Sequence, residues 1–393
     1  MSEPPRRPSV PPLTPSAALA ALLFLFWLWG GYTAILTLTD AVRLRTAAGE
    51  AALCLLVAPV ILFAVVHFIA LPKPFTTTLP RAVIELLWLL GNVSEVVIPW
   101  LGWAALLWII HRGRAGALLP AACLALFSYL TGIAILLFFR PRAGSVQITR
   151  LELPIPNLPR AFDGYRLLHL SDLHVGGFST PAHARERVAV ARGLEADLLV
   201  FTGDLTGHPG HMRAAVEIVA GLSGRDGGVA VMGNHDNWSG AAHVTAALRA
   251  GGLVPLVNEH LTVRRGDACL HIAGVDNPAY TDRDDLAAAL AGVGEEEVVI
   301  LLSHAPEIML RPLASRASLI LCGHTHGGQI VLPLVGPVYV PSKVGRRYPS
   351  GLFPCGDGWL FVTRGLGEIF PPLRVLCPPE VALITLRASG RPG

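Results

Sequence analysis

Five short apolar runs in the second part of the chain each stop at a polar residue that can bind a metal. Amphipathic stretches with helical spacing separate the early runs: PAHARERVAVARGLEA, HMRAAVEIVAGL and GAAHVTAALRAGG. Strands that alternate with helices of this length predict β-α-β units and a largely parallel sheet. The runs are LLHLS before Asp172, LLVFTG before Asp204, GVAVMG before Asn234, VVILLS before His304 and LILCG before His324.

The later part of the chain predicts further strands with fewer helices between them. The stretch LTVRRGDACLHIAGV predicts a hairpin that turns at Arg265, Gly266 and Asp267. VQITRLELP predicts an edge strand ended by prolines, and DGWLFVTRGLG and EVALITLR predict closing strands. This mixed pattern favours two packed sheets over one open sheet.

The polar residues share one position, just past the carboxyl end of a predicted strand. Ligand sites of α/β sheets form at that edge, because the loops that leave parallel strands converge there. We therefore expect the polar groups of all these loops to meet in space. They are Asp172, His174, Asp204, Asn234, His235, Asp236, His304, His324 and His326.

This set contains carboxylates, a carboxamide and imidazoles but no thiolate, so it suits Mn, Fe, Zn or Mg ions. It has too many ligands for one ion, but enough for two ions if one carboxylate bridges them. Paired ions can clamp a displacement at phosphorus and generate a bridging hydroxide near neutral pH. Gly203, Gly233 and Gly323 each precede a candidate ligand, where the chain must turn sharply and come close to the ions.

The motifs DLH (172–174), GD (203–204), GNHD (233–236), SH (303–304) and GHTH (323–326) together resemble those of the calcineurin-like metallophosphoesterases. The resemblance covers about 165–330. Further along, RRYPSGLF, VTRGLGEIFPPLRV and CPPE resemble the membrane-associated bacterial branch, which includes cell-envelope phosphoesterases and UDP-2,3-diacylglucosamine hydrolases. The resemblance implies a four-layer α/β/β/α sandwich over residues 161–393.

The resemblance also implies a role for each motif residue. His235 is expected to be catalytic, by stabilising charge on the phosphoryl oxygens or protonating the leaving group. Asp236 either orients that imidazole or is only a turn residue. The expected cofactors are two divalent ions, Mn, Fe, Zn or Mg. Asp172, His174 and His326 are expected to bind one ion, and Asn234, His304 and His324 the other, with Asp204 bridging both.

In an extended segment, His324 and His326 would point to the same side, so both imidazoles could reach one site while binding different ions. Other polar residues have competing interpretations. His169 is interpreted as a core residue, and His208 and His211 as loop residues, with a substrate contact as the alternative. His260 and His271 are interpreted as structural. Arg346, Arg347 and Arg364 are either phosphate or lipid-headgroup ligands or ordinary loop residues.

Four long stretches before Arg140 are apolar and nearly free of charge: about 17–39, 51–71, 88–110 and 116–139. Each is close to the roughly 20 residues needed to cross a bilayer, so a bundle of about four transmembrane helices is predicted over 17–140. Buried soluble helices are the alternative, and for the first stretch a cleaved signal peptide. Residues 1–16 are predicted to be a disordered Pro-rich tail, and 141–160 a linker with an edge strand.

Charge follows the same division of the chain. Basic residues exceed acidic ones before residue 145, so the net charge of +3 does not indicate nucleic-acid binding by the remainder. The positive-inside bias places both termini, and the catalytic domain, in the cytoplasm of a bacterial-type inner membrane. The cysteines lack metal-binding or CxxC spacing, so neither a zinc knuckle nor a disulfide framework is predicted, and a single bridge among Cys269, Cys322, Cys355 and Cys377 is the alternative.

The sequence therefore predicts a membrane-anchored dinuclear-metal phosphohydrolase. Its expected substrate carries a phosphomonoester, phosphodiester or pyrophosphate bond, and the membrane anchor favours a lipid-linked substrate in the same membrane. Two alternatives stay open. The enzyme could act on soluble nucleotides or small phosphodiesters, or the chain could be a non-catalytic, metal-binding membrane sensor.

Overall fold

The structure is a computed structural model that describes residues 145–222, 224–280, 283–369 and 372–389, together with the single residue 134. Apart from that residue, the predicted tail (1–16) and the predicted membrane spans (17–140) lie outside the described residues. Within the described part of the chain, no helix combines the length and the apolar character that crossing a membrane requires.

The first sheet has six strands in the order β1-β14-β2-β3-β4-β5. Strands β2 to β5 run parallel, as the alternating pattern predicts, but β14 pairs antiparallel with β2 and parallel with β1. The sheet is therefore mixed at one side. Its strands are β1 (Gln147–Pro156), β2 (Arg166–Leu170), β3 (Leu198–Phe201), β4 (Gly228–Ala230), β5 (Val254–Pro255) and β14 (Glu380–Ser389).

The second sheet also has six strands, in the order β12-β13-β9-β8-β7-β6. Its central strands β7, β8, β9 and β13 are parallel, and the predicted hairpin at residue 266 joins β6 to β7. A separate small hairpin pairs β10 with β11. The bounds are β6 (Glu259–Arg265), β7 (Ala268–Gly274), β8 (Val299–Leu302), β9 (Leu319–Cys322), β10 (Val331–Leu332), β11 (Gly336–Pro337), β12 (Gly351–Cys355) and β13 (Gly358–Val362).

The helices connect the strands on the outer faces of the sheets. Thr180 caps the first helix by accepting a hydrogen bond from the backbone N–H of His183, and Pro181 follows at the position where proline is favoured. The helix predicted over PAHARERVAVARGLEA is α-helical only to Val188. The α-helices are α1 (Pro181–Val188), α2 (Met212–Ala220), α3 (Asn234–Trp238), α4 (Ala241–Ala250) and α5 (Leu286–Ala289). Short 3-10 turns span Arg160–Phe162, Ala189–Ala191, Pro209–His211, Pro306–Leu310, Pro312–Arg316, His326–Gly328 and Gly345–Arg347.

Alternation along the central strands divides the interior into three apolar cores. In β3, Leu199 and Phe201 pack against α1, α2 and α4, whereas Leu198 and Val200 point into the space between the sheets. In β9, the residues at 319 and 321 face the inter-sheet core and those at 320 and 322 face α5 and its neighbouring turns. The order of layers is therefore helix, sheet, sheet, helix. The strands β2, β3, β4, β8 and β9 are buried along almost their whole length, which fixes where their carboxyl ends lie.

Candidate metal centre

The structure brings the motif residues of both sheets together at the carboxyl ends of their strands. From the first sheet, Asp172 and His174 follow β2, Asp204 follows β3, and Asn234 follows β4. From the second sheet, His304 follows β8, and His324 and His326 follow β9. All seven side chains are buried, and six of them form two groups of ligand atoms that could hold metal ions; a third group, of His174, Asp204 and His235, overlaps both.

One group consists of Asp172, His174 and His326. The Nε2 atoms of the two imidazoles lie 3.1 Å apart. The carboxylate Oδ1 of Asp172 lies 3.5 Å from Nε2 of His326. Two imidazole nitrogens and one carboxylate oxygen, all turned toward one point, are ligand types that bind Mn, Fe or Zn.

A second group lies on the other side of Asp204 and includes His304 and His324. Nε2 of His304 is 3.2 Å from Oδ1 of Asn234 and 3.1 Å from Nδ1 of His324. The carboxamide oxygen therefore joins the two imidazoles in this group.

The carboxylate of Asp204 lies between the two groups. Its Oδ2 is 3.4 Å from Nε2 of His174 and 3.3 Å from Nε2 of His304. Its Oδ1 accepts a hydrogen bond of 2.9 Å from the backbone N–H of His235. One carboxylate thus contacts an imidazole from each group and is itself held by the start of α3.

The imidazole of His235 lies at the mouth of the site and is only half-buried. Its ring centroid is 4.6 Å from that of His174 and 4.8 Å from that of Trp238. His235 and the candidate ligand Asn234 are adjacent residues of the five-residue helix α3. The imidazole of His235 can therefore reach a molecule that enters from solvent, while the candidate ligands His174 and Asp204 beside it stay buried.

The hydrogen-bond pattern tests whether these residues fit a cation. The carbonyl oxygen of Thr202 lies 2.7 Å from Nδ1 of His304, which places the proton of a neutral ring on Nδ1. The lone pair on Nε2 then faces the oxygens of Asn234 and Asp204, which also carry lone pairs. A cation between these atoms can interact favourably with the lone pairs of all three side chains, so the residues fit a divalent metal ion.

The same excess of electron pairs governs the pKa values of the metal-free site. Burial would raise the pKa of Asp204, but the imidazoles of His304, His235 and His174 hold it well below its usual value. Burial would lower the pKa of His304, but the charge of Asp204 raises it to about 10. Both shifts reflect the close approach of the two groups, with Nε2 of His304 3.3 Å from Oδ2 of Asp204.

Desolvation controls the other buried groups. It raises the pKa of Asp172 to about 7. It lowers the pKa of His174 and of His324 to about 3, and it lowers the pKa of His326 well below 6.5. These imidazoles are therefore neutral near pH 7, which is the form that binds metals.

Five of the candidate ligands have a backbone in the left-handed region, where non-glycine residues are uncommon. The GHTH segment is therefore not extended, and the alternation of a strand does not apply to it. The left-handed turns at His324 and His326 turn their imidazoles into different groups, His324 beside His304 and His326 beside His174. The residues are Asp172 (φ 54°), His174 (47°), Asp204 (55°), His324 (69°) and His326 (51°).

All three glycines flagged in the sequence have a steric role, and for two of them the obstacle is a carboxylate. A Cβ on Gly233 would collide with the carboxylate of Asp204, and a Cβ on Gly323 would collide with Ser171 and with the carboxylate of Asp172. Each of these two glycines therefore lets the backbone of one strand end pass directly against a carboxylate from a neighbouring strand end.

Asp236 does not hydrogen bond to the imidazole of His235, so the hypothesis that it orients that ring is wrong. Its Oδ1 accepts hydrogen bonds from the backbone N–H groups of Leu205 (3.0 Å) and Thr206 (3.4 Å). Its Oδ2 accepts a bond of 3.0 Å from the N–H of Gly233. Asp236 therefore joins the loop after β3 to the loop after β4.

The remaining polar residues named from the sequence have structural contacts. His169 is fully buried and its Nε2 lies 2.8 Å from Oγ1 of Thr202. Arg364 forms an ion pair of 2.9 Å with Glu380. His208 and His211 lie in a 3-10 turn and its cap, and Arg346 contacts the carbonyl oxygen of Val335. None of these contacts places them in the two groups above.

Arg374 is a neighbour of the site that the sequence interpretation missed. It is buried, and it donates hydrogen bonds to the carbonyl oxygens of Gly367 (2.6 Å) and His326 (3.3 Å). Its charge faces Glu368, which forms a buried ion pair of 2.7 Å with Arg187. The sequence signal for this residue is that Arg374 is the lone charged residue among the apolar residues and prolines of PPLRVLCPP.

Comparisons with known proteins agree with this geometry. A sequence model of the family described as calcineurin-like phosphoesterase matches residues 165–328. The chain is 32% identical over 249 residues to the uncharacterized metallophosphoesterase YkuE of Bacillus subtilis, covering 62% of this chain and 86% of YkuE. It is 27% identical over 227 residues to phosphodiesterase YaeI of Escherichia coli, covering 56% and 82%.

A third relative is the transmembrane protein with metallophosphoesterase domain of Bos taurus. It is 29% identical over 297 residues, which cover 71% of this chain. The match spans 65% of the bovine protein's own length.

Proposed function

Because the chain belongs to the calcineurin-like phosphoesterase family, and is therefore a metal-dependent phosphoesterase, we propose that it hydrolyses a phosphodiester bond at a membrane surface with two divalent ions. The observation that carries this proposal is the position of Asp204. Its carboxylate contacts His174 of one group and His304 of the other, at 3.4 and 3.3 Å. A carboxylate in that position can serve both ions of a pair.

The proposed ligands follow the two groups. Asp172, His174 and His326 would hold one ion, and Asn234, His304 and His324 would hold the other, with Asp204 shared. Bound divalent ions would polarise the phosphoryl oxygens and lower the pKa of the attacking water.

His235 is the proposed catalytic residue. Its imidazole is half-buried at the mouth, where it can donate a hydrogen bond to a phosphoryl oxygen or to the leaving group. The bond between its backbone N–H and Asp204 fixes the start of α3 against the shared carboxylate. The buried side chains beneath the imidazole of His235 keep bulk water from the reacting phosphorus. In this water-poor environment the electrostatic interactions of the imidazole are stronger.

The phosphodiester class is supported by the name of the Escherichia coli relative, which is a phosphodiesterase. The membrane location is supported by the four long apolar stretches before Arg140 and by the relative from Bos taurus, which is named a transmembrane protein. An enzyme anchored in this way meets lipid-linked substrates at high effective concentration, so a lipid-linked diester is the proposed substrate.

The test is turnover of bis(p-nitrophenyl) phosphate by the full chain in detergent, after loading with Mn, Fe, Zn or Mg. The variant His235→Ala is expected to lose about 100- to 10,000-fold in kcat, the usual effect of removing a general acid or a charge-stabilising donor. His243→Ala removes an exposed imidazole from α4 and is the matched control, with unchanged turnover expected.

Two results would contradict the proposal. One is absence of diester hydrolysis with every metal while the chain remains folded. The other is full activity in His235→Ala. A second assay with p-nitrophenyl phosphate separates the bond classes, since a chain that cleaves only this monoester is not the proposed phosphodiesterase.

A further inference from the structure

The hairpin formed by β10 and β11 exposes an unusual amount of apolar surface. Leu334, at its tip, is fully exposed, and Val335, Val338 and Tyr339 are more than half exposed. Leu332 is also exposed. We call residues 331–340 the apolar hairpin. Scattered exposed apolar residues are ordinary, but a contiguous group of this kind marks an interaction surface.

The backbone of the tip strengthens this interpretation. Leu334 has φ 65°, in the left-handed region, which is a rare conformation for a bulky residue. Glycine or asparagine would fit such a turn with less strain. A leucine that occupies this position and also points into solvent contributes neither to the turn nor to the core. Its apolar side chain is therefore available to a partner outside the described fold.

The apolar hairpin lies directly beside the candidate metal centre. Gly328, two residues after His326, packs so closely under it that a Cβ there would lie 2.5 Å from Pro337 and 2.6 Å from the carbonyl oxygen of Tyr339. The N–H of Val338 donates a 2.9 Å hydrogen bond to the carbonyl oxygen of Ile330. Whatever covers the hairpin therefore also lies close to the mouth of the site.

Two exposed aromatic residues extend the apolar surface across that mouth. Tyr280 lies 5.7 Å, between ring centroids, from His324 and 5.7 Å from Trp238. Trp238 is 63% exposed and Tyr280 is 55% exposed. Tryptophan and tyrosine favour the boundary between water and lipid, because each combines an apolar ring with a polar atom.

The exposed charges that follow the hairpin in sequence are all positive, and the carboxylate of Glu307, which accepts a hydrogen bond from the backbone N–H of Lys343, is buried. Lys343, Arg346 and Arg347 are exposed and follow the hairpin in sequence. No acidic residue occurs between Glu307 and Asp357. Apolar and aromatic side chains next to clustered cations are typical of elements that lie in the interface of an anionic bilayer.

We propose that the apolar hairpin, with Trp238 and Tyr280, inserts into the interface of a bilayer that contains anionic lipids, with Lys343 and Arg347 among the headgroups. The mouth of the metal centre then faces the headgroup layer, where the phosphodiesters of lipids lie. This inference deepens the proposed function, on which it rests for the meaning of the site, but membrane contact by the hairpin is a separate measurable property.

The test uses the full chain in nanodiscs and a fluorophore at the tip. Cys54, Cys123 and Cys269 are replaced by alanine, while the other three cysteines are buried. Leu334→Cys then carries an environment-sensitive dye. The matched control is Ala291→Cys, which is exposed in the loop that leads into the amino end of β8, at the opposite edge of the sheet from the site.

In nanodiscs with phosphatidylglycerol, the dye at 334 is expected to shift to shorter wavelength. Brominated lipids should reduce its emission about twofold or more, because interfacial elements lie roughly 5–10 Å into the headgroup–acyl boundary. The dye at 291 should show neither effect. The double substitution Lys343→Gln and Arg347→Gln should lower the quenching in anionic discs to the level of phosphatidylcholine discs.

Equal, unquenched emission at 334 and 291 would overturn the proposal. A blue shift at 334 without quenching would also overturn it, because the hairpin would then be covered by another part of this chain or by a second copy. Diester turnover is measured on the same discs. An active chain with an unquenched tip contradicts the hairpin proposal alone, whereas a quenched tip in a chain without turnover contradicts the proposed function alone.

Discussion

The buried carboxylate of Asp236 offers a quantitative test of how the site is held together. It accepts hydrogen bonds from the backbone N–H groups of Leu205 (3.0 Å), Gly233 (3.0 Å) and Thr206 (3.4 Å). Only 1% of the surface of Asp236 is exposed, so water has little access to these N–H groups and cannot readily replace the carboxylate as their acceptor. The substitution Asp236→Ala would leave these donors buried without their acceptor.

The expected cost follows from the number of lost bonds. Each buried N–H left without a partner costs about 1–3 kcal/mol, so the two shorter bonds together account for about 2–6 kcal/mol, and we expect about 4 kcal/mol. Asp236→Asn keeps one acceptor oxygen and should cost about half as much. At roughly 2–4 °C per kcal/mol for a domain of this size, Asp236→Ala lowers the melting temperature by about 8–16 °C.

The assay is calorimetry of the metal-free full chain in detergent, so that metal binding does not mask the loss. Asp267→Ala, in the exposed turn between β6 and β7, is the matched control and should stay within about 0.5 kcal/mol of the unsubstituted chain. A melting temperature for Asp236→Ala within about 2 °C of the unsubstituted chain, less than 1 kcal/mol, would refute this reasoning.

Three further predictions concern the surroundings of the site. Gly233→Ala places a methyl group against the carboxylate of Asp204, so metal content and diester turnover should both fall, as measured by elemental analysis and initial rates. Burial lowers the pKa of His169 to about 3, so the folded state binds fewer protons than the unfolded state between about pH 3 and 6.5, and stability falls as pH drops through that window. The slope from this residue is at most about 1.4 kcal/mol per pH unit, and His169→Asn should remove it from the pH dependence of the melting temperature. Arg374→Met removes one cation facing the buried Glu368 and five hydrogen bonds to backbone carbonyl oxygens, and should destabilise the fold by about 3–5 kcal/mol in chemical denaturation, whereas the exposed Arg213→Met should have little effect.

The sequence predicted those parts of the fold that local patterns encode. Apolar runs such as LLVF at 198–201 are buried strands, and the spacing of MRAAVEIVA predicts helix α2. The expectation that polar residues follow strand ends is also met, because the carboxyl ends of parallel strands necessarily share an edge. The assignment of individual residues to individual ions stays a prediction.

Other features depend on contacts that no local pattern contains. The backbone of His324 and His326 is left-handed because the chain must pass close to Asp172, a residue about 150 positions earlier, whose carboxylate accepts the N–H of His324 at 3.0 Å. The sequence suggests that Asp236 acts on its neighbour His235, but two of its three hydrogen-bond donors, Leu205 and Thr206, lie in the loop after another strand. Arg374 was missed because its partners come from separate segments of the chain, one at His326 and one at Gly367 and Glu368.

The central claim is that Asp204 is shared by two metal ions beneath a catalytic His235. It is tested most directly by the metal content of the purified full chain, measured with turnover on the same samples. We predict about two ions per unsubstituted chain, as a two-metal site requires. His235→Ala should keep both ions and lose turnover, whereas Asp204→Asn should hold about one ion or fewer. An Asp204→Asn chain with unchanged metal content and activity would contradict the account.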